Sequence, residues 1–384
     1  MRILVLTYEY PPIGGGGGRA AQDICRELAE DGHQICVLTA HFNNLPQKEN
    51  QDEVQVVRLK SGRNEPFRAG LRAMGGYIWA SFWNGLRWIC REKPDVIHAH
   101  FAVPTGVSAW LLSRLTGVPY VLTVHLGDVP GGVPEKTSRW FRWIYPFTPP
   151  IWESAAKVVA VSQFTRELAC KVYPVDPVVI PNGVNLAMLD PGEIICHQPP
   201  RILFAGRLMP QKNPVGLIRV LAHLTDMDWE CVLIGDGPLR NEVEAAIRIS
   251  NLQNRIRLTG WIKPEEVLDW MRKSDILFMP SLSEGLPVVG VQALALGLAL
   301  VVSRAGGFPE LVQPGENGFL ADAQDDLLFV SHLRRLLSDR ELLLKCRRAS
   351  RNLANQFDLT RVGQAYSALF LAIVKAKNDE RLSH

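Results

Sequence analysis

The chain has 384 residues, more than one core usually serves, so two domains are expected. Hydrophobic residues at 47% and charged residues at 21% exclude a disordered or fibrous chain, and a formal charge of +3 is too small to argue for a nucleic-acid partner. Seven cysteines, scattered and without a CxxC pair, read as reduced thiols and hence a cytoplasmic protein. Residues 2–7 form an apolar first strand, interrupted by Glu9 and two prolines too soon for a signal peptide. The glycine run Gly14–Gly18 follows, then a helical pattern carrying Ile24 and Leu28, then the strand 35–39. Glycines let a backbone approach phosphate oxygens, and a helix N-terminus favours an anion; a flexible surface turn is the plainer reading of the same run.

Between Arg58 and Lys93 the chain carries eight cations, two glutamates and six aromatic residues, Phe67, Tyr77, Trp79, Phe82, Trp83 and Trp88. A helix of this kind suits an anionic membrane surface, or packs on the domain with a solvated basic face. A buried strand ends at His98-Ala-His100, and another, 119–125, ends at His125 before Leu126-Gly127-Asp128. Residues 134–152 are dense in rings and cations, fit either for contact with a carbohydrate or lipid-linked acceptor or for core packing. The first half closes on a strand and the turn Asn182-Gly183, with Asn182 placed toward the cleft; Pro- and Gly-punctuated residues 190–200 read as the linker.

The second half restarts with the strand 201–205 and a loop carrying Arg207 and Lys212, two cations suited to clamp a diphosphate or to sit solvated at the surface. A strand enters Gly235-Asp-Gly237, and another, 256–260, enters Gly260-Trp261-Ile262. Next come the strand 275–279, the loop Ser281 to Pro287 and a helix bearing Gln292. The weakly charged run 285–302 is too short and too interrupted to span a bilayer. Leucine-rich helices and a last amphipathic helix, 360–377, finish the chain. Strand and helix thus alternate twice over, the pattern of two Rossmann-like α/β domains facing a cleft. Their expected extents are 1–190, joined by a C-terminal helix 360–384, and 199–359.

Glu284 and Gln292, eight positions apart in strand, loop and helix, resemble the Glu-x7-Glu motif of the retaining nucleotide-sugar glycosyltransferases of family four, which include glycogen synthases, sucrose synthases and bacterial mannosyltransferases. Gly206-Arg207 with Lys212 five residues on, the glycine run with Gly32-His33, and the turn His125 to Asp128 match the same family. The resemblance implies the two-domain GT-B architecture, with the final helix crossing back to the first domain. It implies a donor diphosphate under Gly15, Gly16 and Gly17 and held by Arg207 and Lys212. Trp261 and Ile262 read the base, Gln292 the ribose, and His125 a sugar hydroxyl. Asp128 and His100 are further candidates for the sugar, the alternative for each being local turn hydrogen bonds. Gln292 replaces a glutamate, which trades a charge-assisted hydrogen bond for a neutral one at a cost of order 1 kcal/mol; a polar residue capping a core helix is its other reading.

The expected reaction is transfer of a hexose, from a UDP-sugar ahead of a GDP-sugar, to a glycan or lipid-linked acceptor with retention. The diphosphate leaves toward Arg207, Lys212 and the backbone of Gly285, Leu286, Pro287 and Val288, while Glu284 stabilises the electron-poor sugar. No cofactor and no metal is expected, since the cations neutralise the leaving group. Partners are the nucleotide-sugar and its acceptor, with peripheral attachment at the cytoplasmic membrane face and no nucleic acid. Two rivals stand beside this reading: a nucleotide-sugar 2-epimerase of the same architecture, and a catalytically silent nucleotide-sugar-binding subunit.

Overall fold

A computed structural model describes residues 1–65, 70–133 and 141–382. The chain divides into two compact units, Met1–Gly183 with Leu359–His384, and Val184–Asp358.

The first unit contains β1 (Arg2–Thr7), α1 (Gly16–Glu30), β2 (Gln34–Ala40), β3 (Lys48–Gln51), β4 (Val54–Leu59), α2 (Leu71–Glu92), β5 (Val96–His100), α3 (Val107–Thr116), β6 (Tyr120–Val124), β7 (Lys157–Ala160), α4 (Gln163–Val172) and β8 (Val178–Val179). Its strands lie in the order β3-β4-β2-β1-β5-β6-β7-β8, parallel except for β3 against β4. Strands covered on both faces read as unbroken apolar runs. On β1, Ile3 and Val5 pack with Ile24 and Leu28 of α1, while Leu4 and Leu6 pack with Ile89 of α2 and Leu112 of α3.

The C-terminal helix, Leu359–Leu382, returns to this first unit. Leu359, Val362, Tyr366 and Phe370, at helical spacing, are buried beside Ile24 and Leu28. Gly363 exists for that approach, because a Cβ there would overlap Glu27 of α1.

The second unit contains β9 (Arg201–Ala205), α5 (Pro214–Ala222), β10 (Glu230–Ile234), α6 (Arg240–Ile249), β11 (Ile256–Gly260), α7 (Pro264–Arg272), β12 (Ile276–Met279), α8 (Val288–Ala295), β13 (Ala299–Ser303), β14 (Gly318–Ala321), α9 (Asp326–Ser338) and α10 (Arg340–Leu353). All six strands are parallel, in the order β11-β10-β9-β12-β13-β14.

Three sequence expectations change here. Residues 190–200 are not a bare connector: Arg347 donates to the Ile195 carbonyl, and His197 N–H donates to buried Asp275 at 3.1 Å, so the stretch is hydrogen-bonded into the second unit. The basic segment is not one solvated helix. Arg58 lies inside β4, donating to the Pro11 and Pro46 carbonyls and pairing with Glu49; buried Arg63 donates to the Tyr8 carbonyl at 3.1 Å; Tyr77 is buried. Buried cations persist because carbonyls and a carboxylate replace their water. Phe67 and Arg68 lie outside the described residues, as do 134–140 of the aromatic cluster. The rest of that cluster divides: Trp152 is buried and stacked on Tyr173 at 4.2 Å, whereas Trp143 and Phe147 are exposed.

Candidate functional site

In an open parallel sheet, ligands bind past the carboxyl ends of the strands where the strand order reverses. The second sheet runs outward through β9, β10 and β11, then restarts on the other side of β9 with β12, β13 and β14. Its reversal lies between β9 and β12. The loops leaving those two strands carry Arg207, Lys212 and Glu284.

Lys212 ends a short 3-10 turn, Pro210–Lys212, and its Nζ donates to both carboxylate oxygens of Glu284 at 2.6 and 2.7 Å. Glu284 is buried and Lys212 half-buried. The backbone holds the pair in place. Leu282 N–H donates to the Gln211 carbonyl at 2.7 Å, and the Gln211 amide returns a bond to the Ser283 carbonyl at 2.8 Å. Beneath Glu284 lies the Gly306-Gly307 turn after β13. Gly307 N–H donates to the Gly285 carbonyl at 2.6 Å, and a Cβ on Gly306, whose φ is +62°, would overlap the Glu284 carbonyl.

Glycines also fit the neighbouring loops together. A Cβ at Gly235 or Gly237 would overlap the carbonyls of Gly206 and Leu208, so the turn after β10 lies directly on the loop that carries half-buried Arg207. Gly260 accepts from Gly235 N–H at 3.0 Å, which brings the exposed Trp261 and half-buried Ile262 to the same edge. At the start of α8, Gly290 and Val291 N–H both donate to the Pro287 carbonyl. The first N–H groups of a helix find no partner within it, which leaves those of Val288 and Val289 without one inside α8. Pro287, the N-cap, has no N–H and cannot donate to a phosphate, which corrects its expected part in the cradle. Gln292 stands half-buried one turn into α8 from Val288.

A cavity of about 410 Å³ lined by Cys196, His197 and Arg340 lies at the opposite, amino edge of this sheet. Fully buried Asp275 beside it is paired with Arg347 and His197, a structural tie at the start of β12.

The first sheet has the same logic. It runs from β1 through β2 to β4, then restarts beyond β1 with β5, so its reversal lies between β1 and β5. The glycine run leaves β1 and leads into α1. Gly15 N–H donates to Glu9 Oε2 at 3.0 Å, and Gly14, with φ +92°, and Gly18 both pack on Glu9. The helix N-terminus expected to hold a phosphate is thus occupied by the chain's own carboxylate. A Cβ on Gly17 would lie 2.8 Å from the Phe101 ring and 3.3 Å from His125, so glycine is needed for this contact. Phe101, just past β5, takes φ +74°, uncommon for a residue with a side chain, and stacks on His125 at 4.6 Å. The structure therefore brings His125 and the glycine run together. Glu9, Phe101 and Gln211 had no sequence signal beyond their places at strand ends; an acid just before a glycine run is the one cue that singles out Glu9.

Asp128 accepts from Ala102 N–H at 2.9 Å and His125 N–H at 2.8 Å, spending both oxygens on the turn. Its place is the local-turn alternative: it fixes where His125 and Phe101 sit. His100 is fully buried, with its ring 4.2 Å from His98 and 6.3 Å from His125, and among the described residues neither ring nitrogen has a hydrogen-bond partner. Burial lowers the His98 pKa to about 3 and that of His100 well below the usual histidine range, so both are neutral. His98 is bonded to Thr123 at 2.8 Å, which in turn reaches Tyr366 of the C-terminal helix at 3.1 Å. Asn182 is buried at the end of the first unit.

The family described as Glycosyl transferases group 1 matches residues 192–353, and that described as Glycosyltransferase Family 4 matches residues 14–188. The putative teichuronic acid biosynthesis glycosyltransferase TuaC of Bacillus subtilis is 31% identical, over 81% of this chain and 83% of its own. The UDP-Gal:alpha-D-GlcNAc-diphosphoundecaprenol alpha-1,3-galactosyltransferase of Escherichia coli is 28% identical, over 75% of this chain and 78% of its own. Among solved structures, sucrose-phosphate synthase from Thermosynechococcus elongatus superposes with a TM-score of 0.86 at 20% identity, covering 98% of this chain and 100% of that one. Anabaena HepE, solved with UDP, has a TM-score of 0.77 at 19% identity, covering 97% and 100%. These neighbours carry the GT-B fold.

Proposed function

We propose that this chain, which belongs to the group 1, family 4 glycosyltransferases, is a retaining, metal-independent hexosyltransferase using a UDP-sugar ahead of a GDP-sugar. Transfer of sugar from a nucleotide-sugar is the family's reaction. The acceptor in this reading is a glycan or lipid-linked saccharide, met at the cytoplasmic face of a membrane in cell-surface polysaccharide or glycolipid synthesis. The relative that supports a lipid-linked acceptor is the diphosphoundecaprenol galactosyltransferase, and the solved neighbour that supports UDP is HepE.

The observation that carries the reading is the Lys212–Glu284 pair at the strand reversal of the second sheet. A departing diphosphate needs positive charge, which Arg207 and Lys212 supply without a metal, helped by the Val288 N–H at the start of α8. Once Lys212 turns to the phosphates, Glu284 is released to stabilise positive charge at the anomeric carbon. A phosphate oxygen takes the acceptor's proton, so no separate base is required and configuration is retained. Gln292 holds the ribose and the backbone at Trp261 and Ile262 meets the base. In the first unit, His125 meets a sugar hydroxyl and the Gly15 to Gly17 run a phosphate, after Glu9 gives up the Gly15 N–H.

The decisive experiment incubates the protein with UDP- and GDP-hexoses and lipid-linked saccharides in EDTA, following nucleotide release and the anomeric configuration of the product. UDP release that requires acceptor and yields a retained linkage is the expected result. Release only with added divalent metal, an inverted product, or sugar isomerised without acceptor would overturn it.

A further inference from the structure

Helix α2 carries a face that catalysis does not use. Its inner residues Ala73, Tyr77, Ser81, Gly85 and Ile89 recur every four positions and are buried. Ser81 bonds Ser108 of α3 at 2.7 Å, and Gly85 lies against Leu112. The outward line is of another kind: Arg72 stands two turns before Trp79, and Trp79, Trp83, Arg87 and Arg91 follow at four-residue intervals, all exposed. Trp79 is 68% and Trp83 48% exposed, and their rings meet edge to face at 5.7 Å. No aspartate or glutamate occurs from Leu71 to Arg91.

Beyond the contact of the two indoles with each other and of Trp83 with Phe82 at 5.3 Å, much of their apolar surface stays in water, and the one acid of the helix, Glu92, stands at its last position. We propose that the outward face of α2 docks on an anionic lipid surface. The indoles enter the headgroup layer and the three guanidinium groups bind lipid phosphates. Charge and shape favour this occupant over a protein. Indole rings are amphipathic and settle at the headgroup level, while cations spread along about 30 Å of helix suit a continuous sheet of phosphates. The helix would lie in the interface rather than span it. Among the described residues no helix is long and apolar enough to cross a membrane. The structure thus narrows the basic, ring-rich sequence segment to one face, because Arg58, Arg63 and Tyr77 are interior. The proposal requires no particular donor or acceptor and is tested without turnover.

The test is flotation of the full-length protein with vesicles of phosphatidylcholine alone or with 30 mole per cent phosphatidylglycerol added. Binding is expected on the anionic vesicles only. Replacing Arg72, Arg87 and Arg91 together by glutamine should weaken it on the order of fivefold per arginine. The double variant Trp79→Ser, Trp83→Ser should lose at least tenfold and leave a weak residue of binding abolished by 0.5 M NaCl. All five side chains are exposed, so circular dichroism and the thermal midpoint should be unchanged. Equal binding to neutral vesicles, no binding to anionic ones, or variants that bind like the parent would overturn the proposal. A dimer that dissociates in the tryptophan variant would likewise overturn it, in favour of a second copy on this face.

Discussion

Lys212 Nζ lies 2.6 and 2.7 Å from the two carboxylate oxygens of Glu284, and the pair ties the loop after β9 to the loop after β12 where the second sheet reverses. The cation assigned to the leaving group and the carboxylate assigned to the sugar therefore neutralise each other in the structure described. In the proposed reaction a diphosphate would have to compete with Glu284 for the Lys212 ammonium.

Removing the competitor should strengthen nucleotide binding while abolishing transfer. Glu284→Gln keeps the shape and removes the charge, so UDP should bind about tenfold more tightly, or 1.4 kcal/mol. Lys212→Ala should weaken UDP by at least as much. Calorimetric titration of UDP into both variants checks this. Unchanged or weaker binding to Glu284→Gln would show that Lys212 does not serve the diphosphate.

Gly306→Ala tests whether backbone packing positions Glu284. The added methyl would overlap the Glu284 carbonyl at a residue with φ +62°, so the loop must shift. Left-handed backbone costs an alanine about 1–2 kcal/mol, a fall in thermal midpoint of roughly 2–8 °C for a unit of this size. Turnover should drop at least a hundredfold, as expected when a reacting group moves by about an ångström. Near-normal kcat in a variant of lowered midpoint would separate Glu284 from the chemistry.

Acid should destabilise the first unit through its buried histidines. A neutral imidazole in the fold, with His98 near 3 and His100 also well down, binds a proton less readily than the unfolded chain at about 6.5. Stability is thus full above pH 6.5 and is lost as pH falls toward 3. The loss is about 1.4 kcal/mol per pH unit for each histidine. His100→Leu should flatten this acid limb, and it breaks no hydrogen bond among the described residues, where neither ring nitrogen has a partner. Thermal midpoints at pH 7.5, 6.5, 5.5 and 4.5 read the difference; parallel curves for variant and parent would refute it.

What could be read from residue order alone was whatever depends on local pattern. Apolar runs broken by glycine and helical spacing disclosed the strands and helices, and with them two α/β units. Glu284, Lys212 and His125 could be named as candidates because they lie at or just past strand ends, where a parallel sheet presents its loops, and because they match motifs of the family the chain resembles. The apolar period of the last helix was likewise legible, since Val362, Tyr366, Leu369, Phe370 and Ile373 must share one face.

Only the folded chain decided which charges remain available. Arg58, Arg63, Glu9 and Asp128 look alike in a sequence, as charges beside turns. Packing put the first on carbonyls and Glu49, the second on the Tyr8 carbonyl, the third on the Gly15 N–H and the fourth on two backbone amides. Trp152 and Trp79 are equally apolar, yet one is stacked in the core and the other faces outward. The reason is physical. Secondary structure follows from neighbours along the chain, whereas the partner of a charge or a ring is set by residues tens or hundreds of positions away, joined only when strands find their order in the sheet.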